Sequence, residues 1–202
     1  MTVSTAWFPP VGFFALLAEN PIVYIEACES YRKQTWRNRC RILTANGPMD
    51  LRVPVQHDGE RLVTRIRVDW STPWLRQNCY AIDSAYYSSP FFEYYRDELF
   101  AILERRREFL WDMNMDIIDF FCRKIGIAPQ IVPTPDYVPQ LPDDWREAFN
   151  PKRPNPVAVR PYWQVFRERY GFVDGLSVMD LLFNEGPESL SQLRSPLTEL
   201  SR

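Results

Sequence analysis

Glycine is scarce in this chain, with 7 residues against 18 prolines in a total of 202. No G-x-G-x-x-G, Walker-type, G-x-S-x-G or EF-hand spacing occurs, which excludes the glycine-dependent loops that cradle phosphates, expose a nucleophilic serine or bind calcium. Histidine is rarer still. His57 stands alone in the loop Gln56-His57-Asp58-Gly59, so neither a histidine-based triad nor a histidine metal site has its parts. Four cysteines (Cys28, Cys40, Cys79 and Cys122) lie far apart with no C-x-x-C pair. They spell neither a zinc site nor a disulfide framework, and reduced thiols in a cytoplasmic protein are expected. There is no excess of positive charge, since 24 Lys and Arg face 26 Asp and Glu; nucleic acid and anionic membrane are not general partners. The apolar run from Val11 to Ala18 is too short to cross a bilayer, and no membrane insertion is expected.

What is abundant is aromatic side chains, at 15%, and one local concentration of charge. Tyr31-Arg32-Lys33-Gln34-Thr35-Trp36-Arg37-Asn38-Arg39-Cys40-Arg41 carries five cations and two aromatics with no acid. Read as a strand, residues 36–42 put Arg37, Arg39 and Arg41 on one face and Trp36, Asn38, Cys40 and Ile42 on the other. Two readings of this cationic rail stand: a site for phosphate or carboxylate, or a solvated edge paired with nearby acids. Glu26 and Glu29, flanking Cys28, supply either a general acid and base or the neutralising partners.

An α+β fold is expected, with a mixed β-sheet, an opening β-α-β unit and covering helices. Val3 to Phe8 reads as a strand, Val11 to Leu17 as a buried helix behind Pro9-Pro10, and Ile22 to Ile25 as an inner strand parallel to the first. Asn38 to Leu43 and Leu51 to Val55 form a hairpin around Ala45-Asn46-Gly47-Pro48, and Leu62 to Asp69 alternates as a further strand. Three helices follow, opened by Thr72-Pro73, by Ser89-Pro90, and by Asp112 or Asn114, the last stopping at Gly126. Residues 128–161 hold nine prolines and read as an irregular arm, ordered by apolar anchors such as Trp145 and Phe149. Ser177 to Asn184 is a short helix, and residues 189–202 read as a flexible tail. The whole chain is taken as one domain.

Trp7-Phe8-Pro9-Pro10-Val11-Gly12-Phe13-Phe14, Lys33 through Ile42, Asn46-Gly47-Pro48 with Val53-Pro54-Val55, Ala85-Tyr86-Tyr87 with Ser89-Pro90-Phe91-Phe92-Glu93-Tyr94-Tyr95, and Leu176 through Glu188 together resemble the WbqC-like protein family, in order and over most of the chain. This chain departs from longer members in having Ser4-Thr5-Ala6 where they have His-Gln-Pro, and in its proline-rich arm. The resemblance implies a role in surface polysaccharide (O-antigen type) biosynthesis, with transfer of an acyl or aminoacyl group to a sugar precursor; the alternative is a non-catalytic protein recognising an anionic glycan intermediate or a protein partner. A nucleotidyl transferase on the opening unit ranks behind both. The expected ligand is an anionic small molecule such as a nucleotide sugar or activated acyl donor. Arg37 and Arg39 would hold it and Asn38 orient it, with Glu26 or Glu185 as base; Lys33, Trp36, Tyr86 and Asn184 complete the candidate set. No cofactor or metal is assigned.

Overall fold

The computed structural model describes residues 1–194. Its first layer is a parallel sheet of three short strands, β1 (Thr2–Ser4), β2 (Ile22–Glu26) and β5 (Gln130–Pro133), in the order β1-β2-β5. Helix α1 (Val11–Glu19) makes the crossover between β1 and β2. It is apolar on every side, and every residue from Val11 to Leu17 is buried, as a helix without a polar face requires. The hairpin β3 (Arg39–Thr44) and β4 (Gly47–Arg52) forms a separate antiparallel sheet, paired from Arg39↔Arg52 to Thr44↔Gly47. The fold is α+β, and its strands divide into these two small sheets instead of one mixed sheet.

Several boundaries differ from those expected, each for a local reason. The first strand stops at Ser4 because the following residues turn into the core, where the Trp7 N–H donates to the Trp36 carbonyl at 2.8 Å. Leu62 to Asp69 is not a continuous strand. A 3-10 turn at Val63–Arg65 interrupts it, burying Val63 and Ile66 at a spacing of three, and only bridges at Leu62, Arg67 and Val68 remain. Residues 36–38 are likewise a 3-10 turn, capped by the Thr35 hydroxyl, so Arg37 leaves the alternation of β3.

Helices α2 (Trp74–Tyr86), α3 (Phe92–Glu104) and α4 (Leu110–Ile125) cover the hairpin and the α1 side. Helix α4 begins before Asp112, because the Leu110 N–H is taken by the Ile66 carbonyl at 2.9 Å. It ends at Gly126 in the left-handed region (φ 84°), where glycine carries no Cβ penalty. Residues 134–161 contain no helix or strand, yet they pack. Trp145 and Phe149 lie against the core, and Trp145 N–H donates to the Thr2 carbonyl at 2.8 Å. The short helix α5 (Arg167–Tyr170) reaches the hairpin loop, where the Arg169 guanidinium and Tyr170 hydroxyl both donate to the Ala45 carbonyl.

Helix α6 (Val178–Glu185) is capped by the Ser177 hydroxyl and almost wholly buried. Part of the expected tail is ordered: α7 (Ser189–Leu193) buries Ser189 and Leu193 against the core. Residues 195–202 lie outside the described residues. All four cysteines are unpaired. Among the described residues no helix is long and apolar enough to cross a membrane.

Candidate functional site

In open sheets of parallel strands, ligands bind beyond the carboxyl ends of the strands. Here those ends bring together Ser4, Glu26 and Thr134, since Ser4 pairs with Glu26 and Ile25 pairs with Pro133. A cleft of about 410 Å³ opens beyond them, lined by Cys28, Glu29, Arg32, Tyr137, Asp144, Arg146 and Glu147 among others. Its volume is that of a small-molecule site.

Two buried ion pairs form the back wall. Arg37 donates from Nε to Glu29 Oε1 at 2.8 Å and from a terminal nitrogen to Oε2, in the fork geometry that suits a carboxylate. The same nitrogen donates to the Ser4 hydroxyl at 2.8 Å. Arg146 donates to Glu26 Oε2 at 2.8 Å and grips Asp144 through two nitrogens. Asp144 first, then Glu26, raises the pKa of the Arg146 guanidinium, and Arg146 in turn lowers that of Asp144. Arg146 also lies 4.8 Å above the exposed Tyr137 ring, which makes the pair a flat, polar-edged platform.

Glu26 is fully buried. Its Oε1 accepts from the Thr134 hydroxyl at 2.6 Å and from the Cys28 N–H at 2.9 Å, while Arg146 occupies its other oxygen. These contacts make it the anchor behind the cleft, out of a ligand's reach. The carboxylate that stands at the mouth is Glu147, 49% exposed and paired with Arg32 at 2.8 Å. The Cys28 thiol also lines the cleft and faces the carbonyls of Thr134 and Pro135 at 3.6 and 3.4 Å.

The basic segment is thus dealt out to different surfaces. Arg37 is buried behind the cleft, Arg41 pairs with Asp50 at 2.7 Å, and Lys33 is exposed beside a second groove. Arg39 is half-buried, and its Nε has no hydrogen-bond partner among the described residues. Arg37, Arg39 and Arg41 therefore form no common rail. Trp36 is 7% exposed beneath the Arg41 guanidinium. Asn38 braces the hairpin, donating to the Val53 carbonyl at 2.7 Å.

The carboxyl-terminal candidates lie elsewhere. Helix α6 meets β3 at its start, where the Ser177 N–H donates to the Arg41 carbonyl at 2.8 Å. It then carries Asn184 roughly 10 Å away along its axis, at about 1.5 Å per residue. Asn184 turns back to the Asp180 carbonyl at 2.7 Å, and Glu185 accepts the Trp163 N–H at 2.9 Å. Tyr86 is a core residue, its ring 5.2 Å from that of Phe183. Burial first and the Asp180 carboxylate second push its phenol well up. Neither Asn184 nor Glu185 lines the cleft.

The opening strand, helix, strand unit does not leave the α1 N-terminus free for a phosphate. The Val11 N–H donates to the Leu176 carbonyl at 3.0 Å, and the Val178 N–H to the Pro9 carbonyl at 2.9 Å. The chain before α6 covers that end.

Sequence reading alone passed over Ser4, Thr134, Asp144, Arg146 and Glu147, and counted Arg32 only as one cation of the basic segment. One signal was present: Asp143-Asp144-Trp145-Arg146-Glu147 concentrates charge and an indole inside a proline-rich arm, where a merely extended linker needs neither. Its partners, 120 residues away in the case of Glu26, could not be read from spacing.

The chain is 27% identical over 227 aligned residues to the uncharacterized protein Rv1507c of Mycobacterium tuberculosis (strain ATCC 25618 / H37Rv), a match that covers 95% of this chain and 96% of that one. No solved structure matches it. Residues 5–149 match the model of the WbqC-like protein family, a span that contains Glu26, Glu29, Arg37, Thr134 and Arg146, and the chain belongs to that family.

Proposed function

We propose that the protein handles an amino-sugar precursor in surface polysaccharide (O-antigen type) biosynthesis and transfers an acyl or aminoacyl group to it from an activated donor. The observation that carries this reading is the cleft of about 410 Å³ at the carboxyl ends of β1, β2 and β5, whose walls combine carboxylates, arginines and the Tyr137 ring. Sugar rings bind to aromatic faces with a rim of charged hydrogen-bonding groups, and carboxylates suit an amine.

In such a transfer the sugar amine attacks the donor carbonyl, the new C–N bond forms, and the bond from the acyl carbon to its carrier breaks. The amine's proton passes to a carboxylate and then to the departing carrier group. Glu147 is the carboxylate with access for this step, while Glu26 holds Arg146 in place and Glu185 stands outside the cleft.

The mutual pairing of Glu29 with Arg37 and of Glu26 with Arg146 favours a second reading, a protein that binds the glycan intermediate without reacting. Mass spectrometry of mixtures of amino sugars, nucleotide-linked amino sugars, acyl thioesters and aminoacyl donors separates the two. Product that is lost in Glu147→Gln supports transfer. Saturable sugar binding without product under any donor supports the binding protein. No binding by any sugar removes both.

A further inference from the structure

A ridge separates the cleft from a second concavity. Ser30 bridges to Leu62, the Tyr31 N–H donates to the Arg61 carbonyl at 2.6 Å, and the Val63 N–H donates to the Glu29 carbonyl at 3.0 Å. Beyond this ridge lies a groove of about 600 Å³, lined by Tyr31, Lys33, Gln56, His57, Glu60 and Arg61. Ser30 lines both concavities.

The charges on this groove are unbalanced. Lys33 and Arg61 on its wall, and Arg39 close enough to act on Tyr31, have no ion-pair partner among the described residues, whereas Arg37 and Arg41 do. Glu60, the acid on the groove's wall, is turned into its own loop. One oxygen accepts both the Arg61 N–H at 2.7 Å and the Leu62 N–H at 2.8 Å, and these bonds, that of Leu62 foremost, lower its pKa. Asp58 beside it is occupied by the Glu60 N–H and by Arg67. Tyr31 on the groove's wall is largely buried, and burial raises its phenol to about 12 against the opposing fields of Arg39 and Arg37. The Arg39 Nε is buried with no acceptor among the described residues, which a native fold rarely leaves so without a reason. Between Lys33 and the buried Arg37, Gln34 takes a left-handed conformation (φ 60°), a strained choice for a residue other than glycine.

We propose that this groove binds a phosphate or diphosphate group, with Lys33 and Arg61 as its outer contacts and Arg39 supporting from behind. Arginine forks and a mobile ammonium are the usual partners of phosphoryl oxygens, and the low dielectric behind Tyr31 strengthens the attraction. Resting on the function proposed above, the ligand is one molecule that crosses the ridge at Ser30, with its sugar in the cleft and its diphosphate in the groove. A donor carrying a diphosphate could supply the same group, and the experiment below distinguishes the two.

Titration calorimetry on the full chain with sodium pyrophosphate tests the site itself. Saturable binding is expected, weakened about tenfold or more by Lys33→Ala and by Arg61→Ala and weakened by added salt. Both residues are exposed, so an unchanged thermal midpoint verifies that each variant folds. Absence of saturable binding at about 10 mM, or binding indifferent to both substitutions, overturns the proposal. A nucleotide-diphosphate sugar that binds more tightly than pyrophosphate, and loses that advantage in Glu147→Gln, supports one ligand spanning both concavities. An acyl-coenzyme A that competes with pyrophosphate while the nucleotide sugar does not keeps the phosphate site and refutes the spanning sugar. Nucleotide-sugar binding that is lost in Glu147→Gln but unaffected by Lys33→Ala and Arg61→Ala refutes the groove and leaves the cleft reading intact.

Discussion

Arg37 and Glu29, eight residues apart, meet as a bidentate pair whose side chains are 4% and 6% exposed. A 3-10 turn places the arginine there, and the Asn114 side chain holds its backbone by donating to the Arg37 carbonyl at 2.9 Å. The pair closes the floor of the cleft. It also decides how the basic segment can be probed, because a substitution there acts on folding before it acts on any ligand.

Arg37→Ala should therefore destabilise the protein by about 3–5 kcal/mol, since it leaves the Glu29 carboxylate buried without its counter-charge. Arg37→Lys should recover only part of this, because an ammonium cannot reproduce the fork. Urea denaturation of the two variants checks it. A loss under 1 kcal/mol for Arg37→Ala would show that Glu29 finds water and that the floor is open.

Gly186→Ala should cost about 1–3 kcal/mol or more. The residue has φ 50°, and a Cβ there would lie 2.5 Å from the Phe91 ring, so strain and overpacking act together. Adding Phe91→Leu should return part of the loss. Stability equal to the parent protein's in Gly186→Ala alone would mean that Gly186 does not lie against the Phe91 ring.

Asp180 is buried between Tyr162, whose hydroxyl donates at 2.8 Å, and Gln164, whose amide donates at 2.9 Å. Burial raises its carboxyl from 3.8 to about 6 against these lowering bonds. Between those two pH values the folded chain keeps a proton that the unfolded chain has released, so this group's contribution is most favourable below pH 4. It weakens as pH rises to about 6 and is constant above, a span of about 3 kcal/mol at about 1.36 kcal/mol per pH unit. Asp180→Asn removes the titration while keeping an acceptor for both donors. The difference in urea midpoint between variant and parent should grow from pH 4 to pH 7 in the variant's favour, and parallel pH profiles would refute the assignment.

The thiols should react with an alkylating reagent in a fixed order. Cys28 lines the cleft and is partly exposed. Cys79 is pushed up to about 11, by burial first and then by Asp83 and Glu104. Cys40 is fully buried and raised further, and burial takes Cys122 to about 12. Mass spectrometry at pH 8 should find Cys28 modified first and Cys40 last, and a cleft ligand should protect Cys28. Modification of Cys40 ahead of Cys28 would contradict the burial of β3.

Local chemistry made much of the fold legible. Pro9-Pro10 ahead of an unbroken apolar run, Pro73 and Pro90 at helix entries, the Ser177 cap and the Gly126 stop all act within a few residues of themselves, and each appears within a residue or two of its expected place. The hairpin lies where expected, but its second strand is Gly47–Arg52 and not Leu51 to Val55, because pairing resumes directly after a turn at Ala45-Asn46. The family was legible for the same reason, since its motifs lie along the chain in order. Alternation misled at Arg37 and at Val63. Both sit in 3-10 turns whose spacing of three is set by what they pack against, a contact that no period in the sequence encodes.

The candidate site divides along the same line. Chain order alone concentrated the cations at 32–41 and set two glutamates at and just after the end of an inner strand, because both facts concern neighbours in sequence. Which cations meet which carboxylates depended on folding. Arg146 reaches Glu26 across 120 residues, Asn184 turns back into its own helix, and Lys33 stays exposed beside a groove with no counter-ion among the described residues. A charge must be paired or hydrated once the chain is compact, and that choice is made by three-dimensional proximity, which linear order does not contain.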